Sequence, residues 1–344
     1  MRPSLYSVPP ADLPSLCTAF GQPVFRGQQL RGWLYERPAG TWEAMTDLPA
    51  AFREELAAAY RLRSLEPLET AGDEDGPRKI LARLEDGECL ETVLLPQGGR
   101  RTVCLSSQVG CRFGCAFCAS GKGGFGRDLA PWEITEQVAL AAEGFGTRPS
   151  HVVFMGMGEP LDNLDAVLEA VRRINSPEGF GIGARRITIS TCGLPEGIAR
   201  LARAGLQFEL SVSLHAAEDK KREQLMPVNR RYPLDTLLSA CGEYARETGR
   251  IITFEYVLIR GVNDTPADVG RLIERLRPLP ARVNLIPLSP VEEFPGEGTD
   301  SARAQEMCRR LTRSGVHATI RFSQGKQYDA ACGQLRRRRS GLSV

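Results

Sequence analysis

The sequence predicts an α/β fold: a partial, TIM-like (β/α)6 barrel with a small N-terminal helical accessory domain and a β-hairpin extension. Three observations carry this. From Thr102 onward, seven short apolar, β-branched runs recur: TVCLSS, HVVFMG, RITIST, FELSVSL, ITFEYVLI, VNLIPL and HATIRF. Between most of them lie stretches of helical periodicity, among them WEITEQVALAAEGF, LDAVLEAVRRI and ADVGRLIERLR. Such alternation builds a parallel sheet through right-handed crossovers. Six or seven units are too few for a closed eight-stranded barrel, so the barrel is expected to stay open, with its site at the strand C-terminal ends.

Ahead of the barrel, residues 1–65 read as short helices, ADLPSLCTAF, GQQLRGWLYE and PAAFREELAAAY, separated by Gly and Pro. Residues 66–100 read as a linker and a hairpin. There KILARL and CLETVLL flank Glu85-Asp86-Gly87-Glu88, with Asp-Gly at the turn. The barrel core is expected over 101–335, and a basic tail over 336–344 that opens with Arg336 to Arg339.

At 344 residues and 42% apolar content the chain can bury a large core. It has no run of eighteen apolar residues and no apolar leader in MRPSLYSVPP, so a cytoplasmic protein without a membrane partner is expected. In that setting its ten cysteines point to metal or redox work rather than disulfides. Net charge is only +2, and the basic clusters Arg100-Arg101, Arg185-Arg186, Lys220-Lys221-Arg222 and Arg230-Arg231 favour RNA only slightly over solvated helix faces.

The chemistry is set by Cys111, Cys115 and Cys118 in CRFGCAFC. Thiolates in this Cys-x3-Cys-x2-Cys spacing suit a 4Fe-4S cluster held by three irons, with the fourth open to chelate a substrate and pass it an electron. A structural zinc site is the rival reading. It wants four ligands, however, and none of the three histidines lies nearby in sequence. Gly114 and the flanking polar residues argue against three buried structural cysteines. The triplet follows the first barrel strand, where the site belongs.

Other candidates gather at strand ends. HVVFMGMGEPL runs a strand into a Gly-rich turn, where Gly158 allows close backbone approach and Glu159 offers an acceptor to a ligand amine. Taken alone, this is as readily a plain βα loop. Ser190 ends RITIST, and Ser213, Leu214 and His215 end FELSVSL. Cys104 lies in the first strand, and Cys332, beside Gly333, reads as a thiol presented on a loop. Cys17, Cys89, Cys192, Cys241 and Cys308 read as structural. Cys89, Glu91 and Val93 share one face of the hairpin, which makes Glu91 either a rim residue or a general base.

The cysteine spacing resembles the signature of the radical S-adenosylmethionine (SAM) superfamily. The ordered segments FRGQQLRGWLY, ECLETVLLP, CLSSQVGCRFGCAFC, MGMGEPL, RRITIST, SVSLHA, LMPVNRRYPL, ITFEYVLIRGVND, VNLIPLSP and DAACGQL resemble the RlmN/Cfr family of RNA methyltransferases from Phe25 to Leu335. The resemblance implies a radical SAM barrel in which Cys111, Cys115 and Cys118 ligate the cluster. It implies SAM contacts from Gly158, Glu159, Ser190, Ser213, Leu214, His215 and Ser289. Ser289 stands where the family usually has Asn. Gln327 and Tyr328 replace an acid and Ile, and Cys192 replaces Ser.

It further implies two SAM per turnover. One methylates Cys332 by displacement; the second yields a 5′-deoxyadenosyl radical that activates that methyl for addition to adenine. Glu91 would take the ring proton, and Cys104 would release the product through a transient disulfide. The implied partners are RNA (adenosine C2 of 23S rRNA, with tRNA beside the anticodon a second target) and an electron donor such as flavodoxin or ferredoxin. The alternatives are C8 methylation, an unassigned RNA target, or an iron–sulfur RNA-binding or electron-transfer protein without methylation.

Overall fold

The computed structural model describes residues 2–336; the remainder of the basic tail, residues 337–344, lies outside the described residues. The three predicted N-terminal helices form as α1 (Leu13–Ala19), α2 (Arg26–Arg31) and α3 (Ala50–Ala59), with α2 widening into a π-helical turn over Gly32–Glu36. Their apolar residues Leu13, Cys17, Leu30, Tyr35, Phe52 and Leu56 are buried in the same core as the barrel. Tyr35 anchors the joint, taking Tyr6 and Phe180 edge-on at centroid distances of 5.5 and 5.2 Å.

The predicted hairpin is β2 (Arg78–Arg83) and β3 (Cys89–Gln97), antiparallel, with Gly87 at φ +82° in the turn. The stretch read as a linker forms a further strand, β1 (Glu66–Gly72), paired to β2. β1 is almost wholly exposed and carries Glu66 and Glu69. It therefore lacks the apolar alternation that marks a half-buried strand.

β4 (Arg100–Cys104) pairs antiparallel to β3 and parallel to the next barrel strand. A small ribbon of β5 (Gln108–Gly110) and β6 (Phe125–Asp128) follows, enclosing the short α4 (Ala119–Lys122). Helix α5 (Pro131–Phe145) then leads to β7 (His151–Phe154), and α6 (Leu164–Asn175) to β8 (Ile187–Thr191). After them come α7 (Pro195–Ala202), β9 (Glu209–Ser213), α8 (Asp219–Leu225), α9 (Leu234–Thr248) and β10 (Ile252–Leu258). The chain ends with α10 (Pro266–Leu276), β11 (Ala281–Pro287), α11 (Ser301–Arg313) and β12 (His317–Ile320).

Local chemistry explains the helix ends. Thr265 and Asp268 cap α10 reciprocally, with Pro266 at its first position, and Asp300 caps α11 by accepting from the Arg303 N–H. The sheet runs β1-β2-β3-β4-β7-β8-β9-β10-β11-β12, parallel from β4 onward, and β1 and β12 remain its two edges. This is the open barrel the sequence predicts, joined at one edge to three antiparallel strands. Among the described residues no helix is long and apolar enough to cross a membrane.

Glu136 of α5 fastens the N-terminal helices to the barrel. Its Oε2 accepts from the Ser64 and Leu65 N–H groups, both at 2.8 Å, and the Ser4 and Ser64 hydroxyls donate as well. Burial outweighs these donors and pushes its carboxyl up to about 7. The folded state therefore binds this proton more tightly than the unfolded chain does. That contribution is complete below the ordinary value of 4.5 and is lost as pH rises towards 7. The loss is expected to reach about 3 kcal/mol. Urea titrations at about pH 5 and pH 8 should show it in the wild type and much less in Glu136→Gln.

Candidate active site

β7 runs into Met155-Gly156-Met157-Gly158-Glu159 at the C-terminal end of the sheet. The Met157 carbonyl accepts from the Ser107 N–H (2.8 Å), and its own N–H donates to Ser106 Oγ (2.9 Å). Gly158 has φ +100°, and a Cβ there would sit 2.6 Å from Gln108 Cβ and 2.8 Å from Ser107 Oγ. Only glycine fits this turn. Glu159 is buried; its Oε2 accepts from the Cys192 N–H (2.7 Å) and its Oε1 from the Leu161 N–H (3.0 Å), while burial raises its pKa. Gly158→Ala is expected to add about 1–3 kcal/mol of strain. Urea titration against the wild type should read that strain as a loss of stability of the same size.

The cysteine triplet occupies the loop between β5 and α4, with Gly114 at φ +61°. The Cys111 N–H donates to Gly124 O (3.1 Å), the Ala116 N–H to Leu225 O (2.8 Å) and the Ala119 N–H to Gly333 O (2.7 Å). Backbone bonds thus fix the loop on three sides. Cys111, Cys115 and Cys118 all line one cavity. Among the described residues no three His, Cys, Asp or Glu side chains converge as a single ion would require. Spaced thiols suit a cluster, which takes each thiolate on a different iron.

Facing them are the ends of the parallel strands. Ser190, Ser213, His215 and Ser289 line the cavity with Gly158 and Glu159, whereas Leu214 packs in the core. His215 takes φ +56° and accepts at Nδ1 from the Val257 N–H (3.0 Å), which places its proton on Nε2. Burial, helped by the charge of Arg222, pushes its pKa down to about 3, so the ring is neutral. Arg222, wholly buried, ties these ends together by donating to Leu214 O (3.2 Å), Ser213 O (3.2 Å), Cys192 O (2.8 Å) and Asn229 Oδ1 (2.9 Å).

The two further thiols meet at the same end of the barrel. Cys332 as a residue is exposed, yet it lines the cavity, where surrounding protein raises its pKa and the charge of Arg321 opposes the rise. Cys104 ends β4, buried; burial and then the neighbouring Cys332 push it up to about 12, again against Arg321. Glu91 is buried rather than on a rim. Its Oε1 pairs with Lys79 Nζ at 3.1 Å, and its Oε2 accepts from the Arg336 N–H at 2.9 Å. It lines a neighbouring cavity with Lys79, Tyr328 and Asp329.

Among the charged and thiol side chains of the lining, three escaped the sequence reading. Arg321 closes the run HATIRF, Glu255 interrupts ITFEYV, and Cys192, read as structural, faces the cavity. The strand-end logic that found Ser190 and Ser213 applies equally to Arg321 and Cys192.

The cavity encloses about 1000 Å³, its open mouth included. Ser289 Oγ and Glu255 Oε2, both buried in its lining, have no protein hydrogen-bond partner. Three thiols on one cavity wall and unpartnered polar oxygens in the same lining fit a 4Fe-4S cluster with SAM beside it. An open barrel with cluster ligands after its first strand is the architecture of a radical SAM enzyme.

Comparison with known proteins agrees. The model of the radical SAM superfamily matches residues 105–276, and that of the ribosomal RNA large subunit methyltransferase N-terminal domain matches residues 4–62. A relative from Moorella thermoacetica, named "Probable dual-specificity RNA methyltransferase RlmN", is 48% identical, covering 97% of each chain. A relative of the same name from Synechococcus is 46% identical over 97% of this chain and 96% of its own. The crystal structure of a radical SAM methyltransferase from Sphaerobacter thermophilus superposes with a TM-score of 0.92 at 44% identity, covering 97% of this chain and 99% of that one. The chain belongs to the radical SAM superfamily and, within it, to the RlmN family.

Proposed function

We propose that this SAM-dependent RNA methyltransferase methylates C2 of an adenosine in 23S rRNA, with tRNA as its second substrate. The observation that carries the reading is the meeting of the Cys332 and Cys104 thiols beside the cavity lined by Cys111, Cys115 and Cys118. The dual-specificity name of its relatives supports two RNA substrates.

When bound, the cluster and two SAM per turnover supply a methyl group and the one-electron chemistry that an electron-poor ring carbon requires. The chain's own residues do the rest. Cys332 accepts and presents the methyl group, its thiolate being the nucleophile. Gly158, Glu159, Ser190, Ser213, His215 and Ser289 would hold SAM, with Leu214 setting the backbone between two of them. His215, neutral and donating from Nε2, orients without adding charge. Glu91 would take the ring proton as the adduct returns one electron. The Cys104 thiolate would then attack the Cys332 sulfur, forming a Cys104–Cys332 disulfide as the sulfur–carbon bond breaks and the freed carbon takes up a proton. The electron donor would later reduce that disulfide. A flavodoxin- or ferredoxin-class donor supplies electrons.

The target base must leave its stack, which costs least in loops. We assign 1–65 to RNA gripping, 66–100 to the extension that carries the base, and 101–335 to the catalytic core. Exposed Phe25 with Arg26 stacked on it (4.9 Å), and Trp33 with Arg37 (4.4 Å), suit that grip. The test is nucleoside mass spectrometry after incubating reconstituted enzyme with unmodified 23S rRNA and tRNA. 2-Methyladenosine is the expected product. 8-Methyladenosine would overturn the position, and no methylated adenosine would overturn the substrate.

A further inference from the structure

We infer that Lys79 is a positioning residue for the RNA half of the reaction, holding Glu91 and the arm that carries Cys332 in one register. The inference rests on the reading of Glu91 as the base. Residues 325–336 follow β12 in the chain and run against the hairpin, held there at Asp329 and Arg336. Gly325 (φ +73°), Asp329 (φ +49°) and Gly333 (φ +84°) give this arm its bends. Asp329 is one of only two non-glycine residues with positive φ among those described, so the arm's path is imposed by what it touches.

Lys79 is what it touches at that bend. The ammonium of this buried β2 residue pairs with Glu91 Oε1 at 3.1 Å and donates to the Asp329 carbonyl at 3.2 Å. Four residues beyond Cys332 the chain returns, and the Arg336 N–H binds Glu91 Oε2 at 2.9 Å. Cys332 therefore lies between two attachments, one on Lys79 and one on Glu91, and the Lys79–Glu91 pair joins them into a ring. A charge-assisted pair in a buried site is stiff, and its loss leaves the carboxylate without that counter-charge. Tyr328, donating to Asp73 Oδ1 at 2.5 Å, secures the arm's outer side. Methyl loading of Cys332 needs no RNA and releases the thiol proton rather than the ring proton assigned to Glu91, so it should tolerate a loosened ring. Addition to adenine and removal of its proton should not.

The test compares Lys79→Met, Lys79→Arg and Glu91→Gln with the wild type through three readouts. These are S-methylation of Cys332 by peptide mass spectrometry, methylated adenosine formed on an unmodified rRNA transcript, and amide exchange of residues 329–336 in the cluster-free protein. For Lys79→Met, Cys332 methylation should stay within about twofold while the RNA product falls at least about tenfold. Exchange of the arm should rise, and Lys79→Arg should restore both. Should Lys79→Met not fold, Lys79→Gln is expected to show the same split. RNA product within about twofold of wild type in the neutral variant would overturn the inference. So would a parallel fall in Cys332 methylation, which would make Lys79 scaffold alone. Glu91→Gln should cost on the order of 10²-fold in RNA product. Full activity there would overturn the reading of Glu91 itself, separately from the arm's exchange.

Discussion

Cys332→Ala is expected to lose methylated adenosine by on the order of 10³-fold or more, as when a covalent nucleophile is removed. Cluster content and SAM binding should stay unchanged, because the side chain that disappears is not among the three thiols of the cysteine loop or the strand-end residues. The fold should tolerate it. Cys332 is exposed, and the arm's bonds on either side are made by its neighbours: the Ala331 N–H to Gln334 Oε1 (3.0 Å), Gln334 Nε2 to Pro290 O (2.9 Å) and Ser120 Oγ to Leu335 O (2.6 Å). Iron analysis, SAM dialysis and nucleoside mass spectrometry on one preparation check all three statements. An alanine variant that still forms product would remove the thiol from the mechanism.

The second large effect is on stability. Arg222→Met should destabilise the fold by about 3–5 kcal/mol, the cost of breaking a buried, hydrogen-bonded charge site. Four acceptors surround the guanidinium: the carbonyls of Cys192, Ser213 and Leu214, and Asn229 Oδ1. Methionine fills similar volume and satisfies none of them. Three of the four belong to the ends of β8 and β9, so the loss should also loosen the strand ends that line the cavity. Denaturant unfolding at fixed pH gives the first number, and SAM affinity of the folded fraction gives the second. A loss below about 1 kcal/mol would show that water replaces the arginine.

Much of this architecture is legible in the sequence. The barrel strands are apolar and β-branched because both faces are covered, and the seven runs become β4 and β7 to β12. β1 is not legible because one edge strand in water needs no apolar pattern. β5 and β6 are too short to show a period. The cysteine triplet announces itself because metal chemistry ties ligands to short spacings. Arg321, Glu255 and Lys79 do not. Each is an ordinary charged residue in its segment, and Lys79 gains its meaning from a partner 250 residues away. Only folding brings such a pair together.

That separation bears on when the enzyme becomes complete during synthesis. Asp329 follows Lys79 by 250 residues. At about 5–20 residues per second, roughly 10–50 s pass between the two leaving the peptidyl-transferase tunnel in order. The hairpin, the cysteine loop and the first barrel strands are all made well before the arm. The nascent chain thus holds the cysteine triplet for many seconds before Cys332 exists. The cysteine loop and the Cys332 thiol are delivered at different times by the order of the chain.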